Sequence, residues 1–301
     1  MTTTGEIDPL GAAIGGVYRD AMVEVVAQHG LISRRELHMV RTPHFDLTSA
    51  GHRIALTHRL GGDEIDDDLA GLLAEELFQP GWLRGTELFE RLFTGIVLST
   101  DADPLIAWEG FYRNTLDRVG TTLSSAVPGS AHGTIADYAP VYAHAERQLV
   151  PGNVLELGSC FGFLALRLAL AGRDVVASDV SPGTVALLAA VAPRLGIALT
   201  TRVADAGRVP AADRFADNVL AIHLLEHLDP DHGDRVVAEA IRLARRRVVV
   251  AVPLEDEADE TWGHVRTVSL DDLAAWGRRT GLPHQVFRHH GGWLVIDVAT
   301  A

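Results

Sequence analysis

The chain has 301 residues, 47% of them hydrophobic, with 40 acidic and 26 basic side chains and a formal charge of −14. All 26 basic residues are arginine, which excludes Schiff-base chemistry and the lysine of a phosphate-binding P-loop. The apolar content excludes global disorder, and the acidic surplus argues against a nucleic-acid partner.

In chain order, Met1 to Pro9 lacks the basic cluster of a secretory signal. Ile14 to Gln28 reads as a helix closed by Gly30, and Leu37–Asp46 and His52–Leu60 read as strands around a turn-rich stretch. Asp66–Phe78 has helical apolar spacing (Leu69, Leu72, Leu73, Leu77) and is stopped by Pro80-Gly81. Residues 86–120 follow as a helical, aromatic-rich segment. Its Trp108–Asn114 stretch reads as core or, with Arg113 and Asn114 beside aromatic faces, as a sugar platform.

Small and polar Ser124–Gly133 is a linker candidate. The expected domains are therefore 1–125, a mixed α+β substrate-covering or interaction region, and 126–301. In the second, short apolar strands alternate with helices, the pattern of a mostly parallel, doubly wound α/β sheet. The strand candidates are Asn153–Leu157, Asp174–Ser178, Leu199–Ala204, Asn218–Ile222 and Val248–Val252. Ser181-Pro182 and Ser269 to Asp272 read as helix starts. Gln285–His290 and Trp293–Ala299 read as a closing hairpin turned at Gly291-Gly292, which makes seven strands. No apolar run nears the roughly 20 residues of a membrane span, and the single cysteine, Cys160, fits a reducing compartment. A cytoplasmic protein is expected.

The strongest motif is Val154-Leu155-Glu156-Leu157-Gly158-Ser159-Cys160-Phe161-Gly162-Phe163: a buried strand, a glycine turn, then a helix whose free amides face a ligand. The nicotinamide pattern GxGxxG fails, because Cys160 and Phe163 stand where it needs glycine. Instead the stretch resembles the first motif of the class I S-adenosylmethionine (SAM)-dependent methyltransferases, E/D-x-G-x-G-x-G, with Cys160 in place of the middle glycine. The resemblance implies a Rossmann-like seven-stranded fold for 126–301 and SAM as cofactor. Glu156, Gly158, Ser159, Cys160 and Gly162 would form the cofactor loop. Asp179, with Val180, would hold the ribose at the end of the second strand. Asp205, with Ala206, would meet the adenine, and His223 would line the cofactor.

SAM carries an activated methyl, so a hydroxyl acceptor needs a base or a metal. With no lysine present, histidine is the natural base. His227 in Ile222 to Leu228 and His264 in Gly263-His264-Val265-Arg266 are the two candidates, with Glu226 beside the first and Arg266 expected to orient substrate oxygens. Asp205, Glu226 and Glu255-Asp256-Glu257 leave a metal open, but no His/carboxylate spacing argues for one, and none is expected. Adjacent His289-His290 on a strand would face opposite sides and make a poor metal site.

Over nearly the whole chain the sequence also looks like the mycofactocin oligosaccharide methyltransferase family. The likeness lies in Phe93 to Val97, Ser99-Thr100, Asp103-Pro104, Trp108, Phe111 to Asn114, Gly158 to Phe163, His223 to Leu228, Gly263 to Thr267 and His289 to Trp293. It implies O-methylation of the glucose chain of mycofactocin, an oligosaccharide acceptor, in an actinobacterium, a source that the lysine-free composition fits. A methyltransferase for another small metabolite, with a carboxylate or nitrogen acceptor, and a non-catalytic SAM-binding interaction protein are the alternatives. A homo-oligomer is left open.

Overall fold

The computed structural model describes residues 7–28, 40–50, 52–124, 134–259 and 262–298. The chain divides into two compact units, Met1–Ala136 and Asp137–Ala301.

The first unit holds a five-stranded sheet with strand order β1-β2-β5-β4-β3, in which β2 and β5 run parallel and the other neighbours antiparallel. Its strands are β1 (Val17–Arg19), β2 (Val23–Ala27), β3 (Val40–Arg41), β4 (Phe45–Ala50) and β5 (Arg53–His58). The helix expected over Ile14 to Gln28 is instead the β1–β2 hairpin. Asp20 Oδ1 accepts from the amides of Met22 and Val23 and closes a tight turn. The β-branched Val23 and Val25 then point alternately into the core. The expected Gly30 stop and residues 37–39 lie outside the described residues.

Helices α1 (Asp68–Leu73), α2 (Thr86–Leu98) and α3 (Pro104–Ser124) follow, α1 running on through a π-helical turn at Ala74–Phe78. Trp108, Phe111 and Tyr112 are at most 1% exposed, so this stretch is core and not a sugar platform. Arg113 is paired with Glu109, and Asn114 Nδ2 donates to the carbonyls of Gly62 and Ile65. All but the first residue of the Ser124–Gly133 linker lies outside the described residues. The division between the units falls in the first turn of α4 (Thr134–Gln148).

The second unit is a seven-stranded sheet with strand order β11-β12-β10-β9-β6-β7-β8. The strands are β6 (Val154–Leu157), β7 (Val175–Asp179), β8 (Thr200–Val203), β9 (Ala216–Ile222), β10 (Ala244–Val252), β11 (His284–Arg288) and β12 (Gly292–Asp297). The first five run parallel; β12 lies antiparallel to β10, and β11 to β12. Gly292 begins β12, so the hairpin turn is centred on His289 to Gly291 rather than on the glycine pair.

Four helices connect these strands: α5 (Phe163–Leu170), α6 (Pro182–Val191), α7 (Pro230–Leu243) and α8 (Leu270–Thr280). Ser181 caps α6, and Ser269 with Asp272 makes the reciprocal capping box of α8. The inner strands are buried on both faces, which is why they read as unbroken apolar runs. The strand order reverses between β6 and β9, since β7 and β8 lie on one side and β10 and β12 on the other. Ligands of open α/β sheets bind beyond the strand C-termini at such a seam.

Candidate active site

Beyond β6 the backbone turns sharply. Gly158 has φ +67° and Gly162, which caps α5, has φ +78°. A Cβ on Gly158 would lie 2.6 Å from the Leu224 side chain, and one on Gly162 would lie 2.5 Å from that of Leu188. The left-handed dihedral favours glycine at both positions, and a Cβ there would require the tip of a leucine side chain to shift. Cys160, between them, adopts φ +48°, is exposed, and donates its amide to Asp179 Oδ2 at 2.9 Å. Ser159 is buried and donates its amide to the Ser178 carbonyl.

Glu156 lies beneath this loop, 4% exposed, and its Oε2 has no partner. Burial pushes its carboxyl up to about 8, and the charge of Asp179 adds to the shift. Asp179 ends β7; its second oxygen accepts from the Ser181 amide at 2.9 Å. A carboxylate has about four acceptor sites, so both oxygens keep a lone pair for ribose hydroxyls. Val180, next in the chain, is 70% exposed, an apolar surface suited to a flat base.

Asp205 is half exposed and partly engaged: Oδ1 accepts from the Gly207 amide at 2.8 Å and pairs with His232 Nε2 at 2.7 Å. These bonds hold it below the usual carboxylate range. His232 was not singled out from sequence; its position in the first turn of α7, after the Asp229 cap, is the signal. Ala206 packs against the sheet core. His223 sits at φ +51° with Nε2 buried and without a partner. Burial pushes His223 down to about 4, helped by His264 and His227. The open glycine turn, the Asp179 carboxylate at the end of β7 and the unpartnered atoms of Glu156 and His223 are a lining that fits SAM.

On the other side of the seam, a 3-10 turn at Leu225–His227 follows β9. Glu226 is 1% exposed and neither carboxylate oxygen has a partner. Burial pushes it up to about 8, Glu255 adding to the shift and Arg266 opposing it. The His227 ring carries Nδ1 at 3.2 Å from the Gly263 carbonyl, and burial lowers its pKa. His264 Nδ1 lies 2.8 Å from Glu255 Oε2, and the two imidazole centroids are 4.9 Å apart. With each Nδ1–H donated, each Nε2 holds a lone pair.

The segment 263–266 is tied to this turn: Val265 donates its amide to the Glu226 carbonyl at 2.9 Å, and Arg266 Nε donates to the Leu225 carbonyl at 3.2 Å. The Arg266 guanidinium lies 5.6 Å over the Trp276 ring and against Gly233, where a Cβ would come within 2.3 Å of Nη2. Arg266 is therefore packed between α7 and α8, with Nη2 buried and without a hydrogen-bond partner. Glu255, read in sequence only as part of an acidic run, is the partner of His264.

One ligand atom each from Glu226, His227 and His264 lies within 4.8 Å of the others, a convergence that spacing in the sequence did not indicate. His289 and His290 do not form such a group; His289 stacks instead at 4.1 Å on His144, whose pKa burial holds down at about 4.

Residues 154–247 match a family model described as a methyltransferase domain. No curated protein matches the sequence. Among solved structures, the chain is similar to a SAM-dependent methyltransferase of Aquifex aeolicus, at 14% identity and TM-score 0.45 over 52% of this chain and 88% of that one. It is also similar to magnesium protoporphyrin IX methyltransferase of Synechocystis with bound S-adenosylhomocysteine, at 16% identity and TM-score 0.44 over 61% and 94%. A SAM-dependent methyltransferase of Methanosarcina mazei gives 15% identity and TM-score 0.44 over 51% and 95%. Among the described residues, no helix is long and apolar enough to cross a membrane. Residues 154–247 thus match a methyltransferase domain, carried on the mostly parallel seven-stranded sheet.

Proposed function

We propose that the chain is an O-methyltransferase acting on a sugar hydroxyl, with the glucose chain of mycofactocin as its acceptor. The observation that carries the reaction type is the pair of imidazoles with Nδ1 engaged, converging with buried Glu226 beside the glycine turn. Leu224 packs on Gly158 and leads directly into the 3-10 turn, so the two groups of residues adjoin. The likeness of Gly158 to Phe163, His223 to Leu228 and Gly263 to Thr267 to the mycofactocin oligosaccharide methyltransferases supports the acceptor.

Glu156, the 158–162 turn, Asp179, Val180, Asp205 and Ala206 would hold SAM, and His223 would line it. When bound, SAM supplies a sulfonium methyl: the acceptor oxygen bonds to that carbon, the C–S pair stays on sulfur, and the hydroxyl proton is lost. A sugar hydroxyl is too weak an acid to ionise alone at neutral pH, so the His227 and His264 region must assist that proton loss. Glu255 fixes the tautomer of His264, and Arg266 fixes the turn that carries His227.

The test is incubation with isotope-labelled SAM and an oligoglucoside acceptor, with the product located by mass and linkage. Label on an ether oxygen supports the reading. Label on a carboxylate or nitrogen of another metabolite overturns the acceptor class, and SAM binding with no transfer to the acceptor or to a cell extract overturns catalysis.

A further inference from the structure

We propose that Glu226, His227 and His264 form a binding site for one divalent transition-metal ion. Buried polar groups are nearly always paired, yet Glu226 is 1% exposed and both its carboxylate oxygens lack a partner. One of those oxygens belongs to a group of three ligand atoms within 4.8 Å of one another. Removing a carboxylate from water without donors is costly, and a cation supplies what the protein does not.

The imidazoles are prepared for the same task. Metal-binding histidines donate their second ring N–H to a carbonyl or carboxylate, which fixes the ring and raises its basicity. His227 does so to the Gly263 carbonyl and His264 to Glu255. The backbone supports the set: Glu226 and His227 share one 3-10 turn, and the Val265 amide bond to Glu226 brings His264 to it. Bonds of about 2.0–2.2 Å place ligand atoms roughly 3–3.5 Å apart, so atoms now within 4.8 Å of one another close by at most about 1.3–1.8 Å on binding.

Two imidazoles and one carboxylate suit zinc, manganese, iron or cobalt rather than calcium or magnesium, which prefer oxygen donors. Three protein ligands leave at least one coordination position open. An acceptor hydroxyl bound there becomes more acidic, and its proton passes to solvent water as the C–S bond breaks and the O–C bond forms. This role rests on the O-methyltransferase reading; the ion site rests on its donors alone.

The test is calorimetric titration of the tag-free, chelator-stripped full chain with zinc chloride or manganese chloride, without SAM. One ion per chain is expected, bound at least 10-fold more weakly by Glu226→Gln and His264→Ala and about 10–100-fold more weakly by Glu255→Gln, while SAM titration reports that each variant is folded. No ion binding, or equal binding by wild type and the variants, overturns the site. If wild type binds no ion yet methylates a hydroxyl, the site falls and the O-methyltransferase reading stands. If it binds the ion and methylates only a nitrogen or carboxylate, the site stands and that reading falls. Transfer to a hydroxyl that stops on chelation and returns with the ion supports the activating role; transfer that survives full chelation overturns that role.

Discussion

The two sides of the β6–β9 seam are built in opposite ways. On the cofactor side Asp179 and Asp205 are already engaged, Asp179 by the amides of Cys160 and Ser181 and Asp205 by the Gly207 amide and His232, while buried Glu156 keeps one oxygen without a partner. On the acceptor side, Glu226 is buried with neither oxygen paired, and a ring nitrogen of each of His227 and His264 lies within 4.8 Å of one of those oxygens. A site formed by the backbone keeps its shape without ligand, whereas a cluster of unpartnered groups keeps a local cost until something binds. The first side should therefore govern affinity for SAM, and the second the rate of transfer.

Four measurements break or sharpen that contrast. The largest effect is expected from His227→Ala and His264→Ala, each lowering turnover by roughly 10²–10⁴ while SAM affinity is retained. A loss of SAM binding with intact turnover at saturating donor would reverse the assignment of the two sides. Gly158→Ala comes next, because it strikes where the sides meet. A non-glycine residue at φ +67° costs about 1–2 kcal/mol, and the Leu224 side-chain tip must shift to admit a Cβ. Denaturant unfolding should register that loss, and unaltered stability would refute the steric account.

Asp179→Ala removes hydrogen bonds to a charged group, worth roughly 1.5–3 kcal/mol, so SAM should bind about 10–100-fold more weakly. Turnover at saturating SAM should change far less; an equal fall in both would contradict the division of roles. The smallest effect concerns Glu156, whose carboxyl is held up at about 8 against an ordinary 4.5. Between those pH values the unfolded chain has released this proton and the folded chain keeps it, so stability declines as pH rises across the window. Unfolding midpoints measured through that range should fall less steeply in Glu156→Gln, and parallel slopes would show that Glu156 is not held neutral.

The cofactor side was readable from sequence because its residues sit in one contiguous motif and at the ends of strands buried on both faces. Val154–Leu157 and Val175–Asp179 declare themselves by unbroken apolar runs, and the helix starts at Ser181 and Ser269 by side chains that cap amides. The hairpin of β1 and β2 escaped because strands of three and five residues carry little periodicity. Its decisive signal was one side chain, Asp20, bonding to nearby amides.

The acceptor side escaped for a different reason. His227 and His264 were each visible, but their meeting depends on a backbone bond between Val265 and Glu226 that no local spacing encodes. Likewise Asp205 and His232 join across 27 residues through the packing of α7.

The strand order has a consequence for how such a molecule can change. Groups that would hold the donor come almost entirely from the chain between 156 and 206, on strands to one side of the reversal. Those assigned to the acceptor come from 226 to 266, on the other. The reversal therefore divides these residues into two nearly contiguous segments, joined by Leu224 against Gly158, by the Asp205–His232 pair and by the β6–β9 pairing. Acceptor preference can drift by substitution in the later segment without disturbing the earlier one, provided that the side chain against Gly158 and the His232 partner of Asp205 are kept.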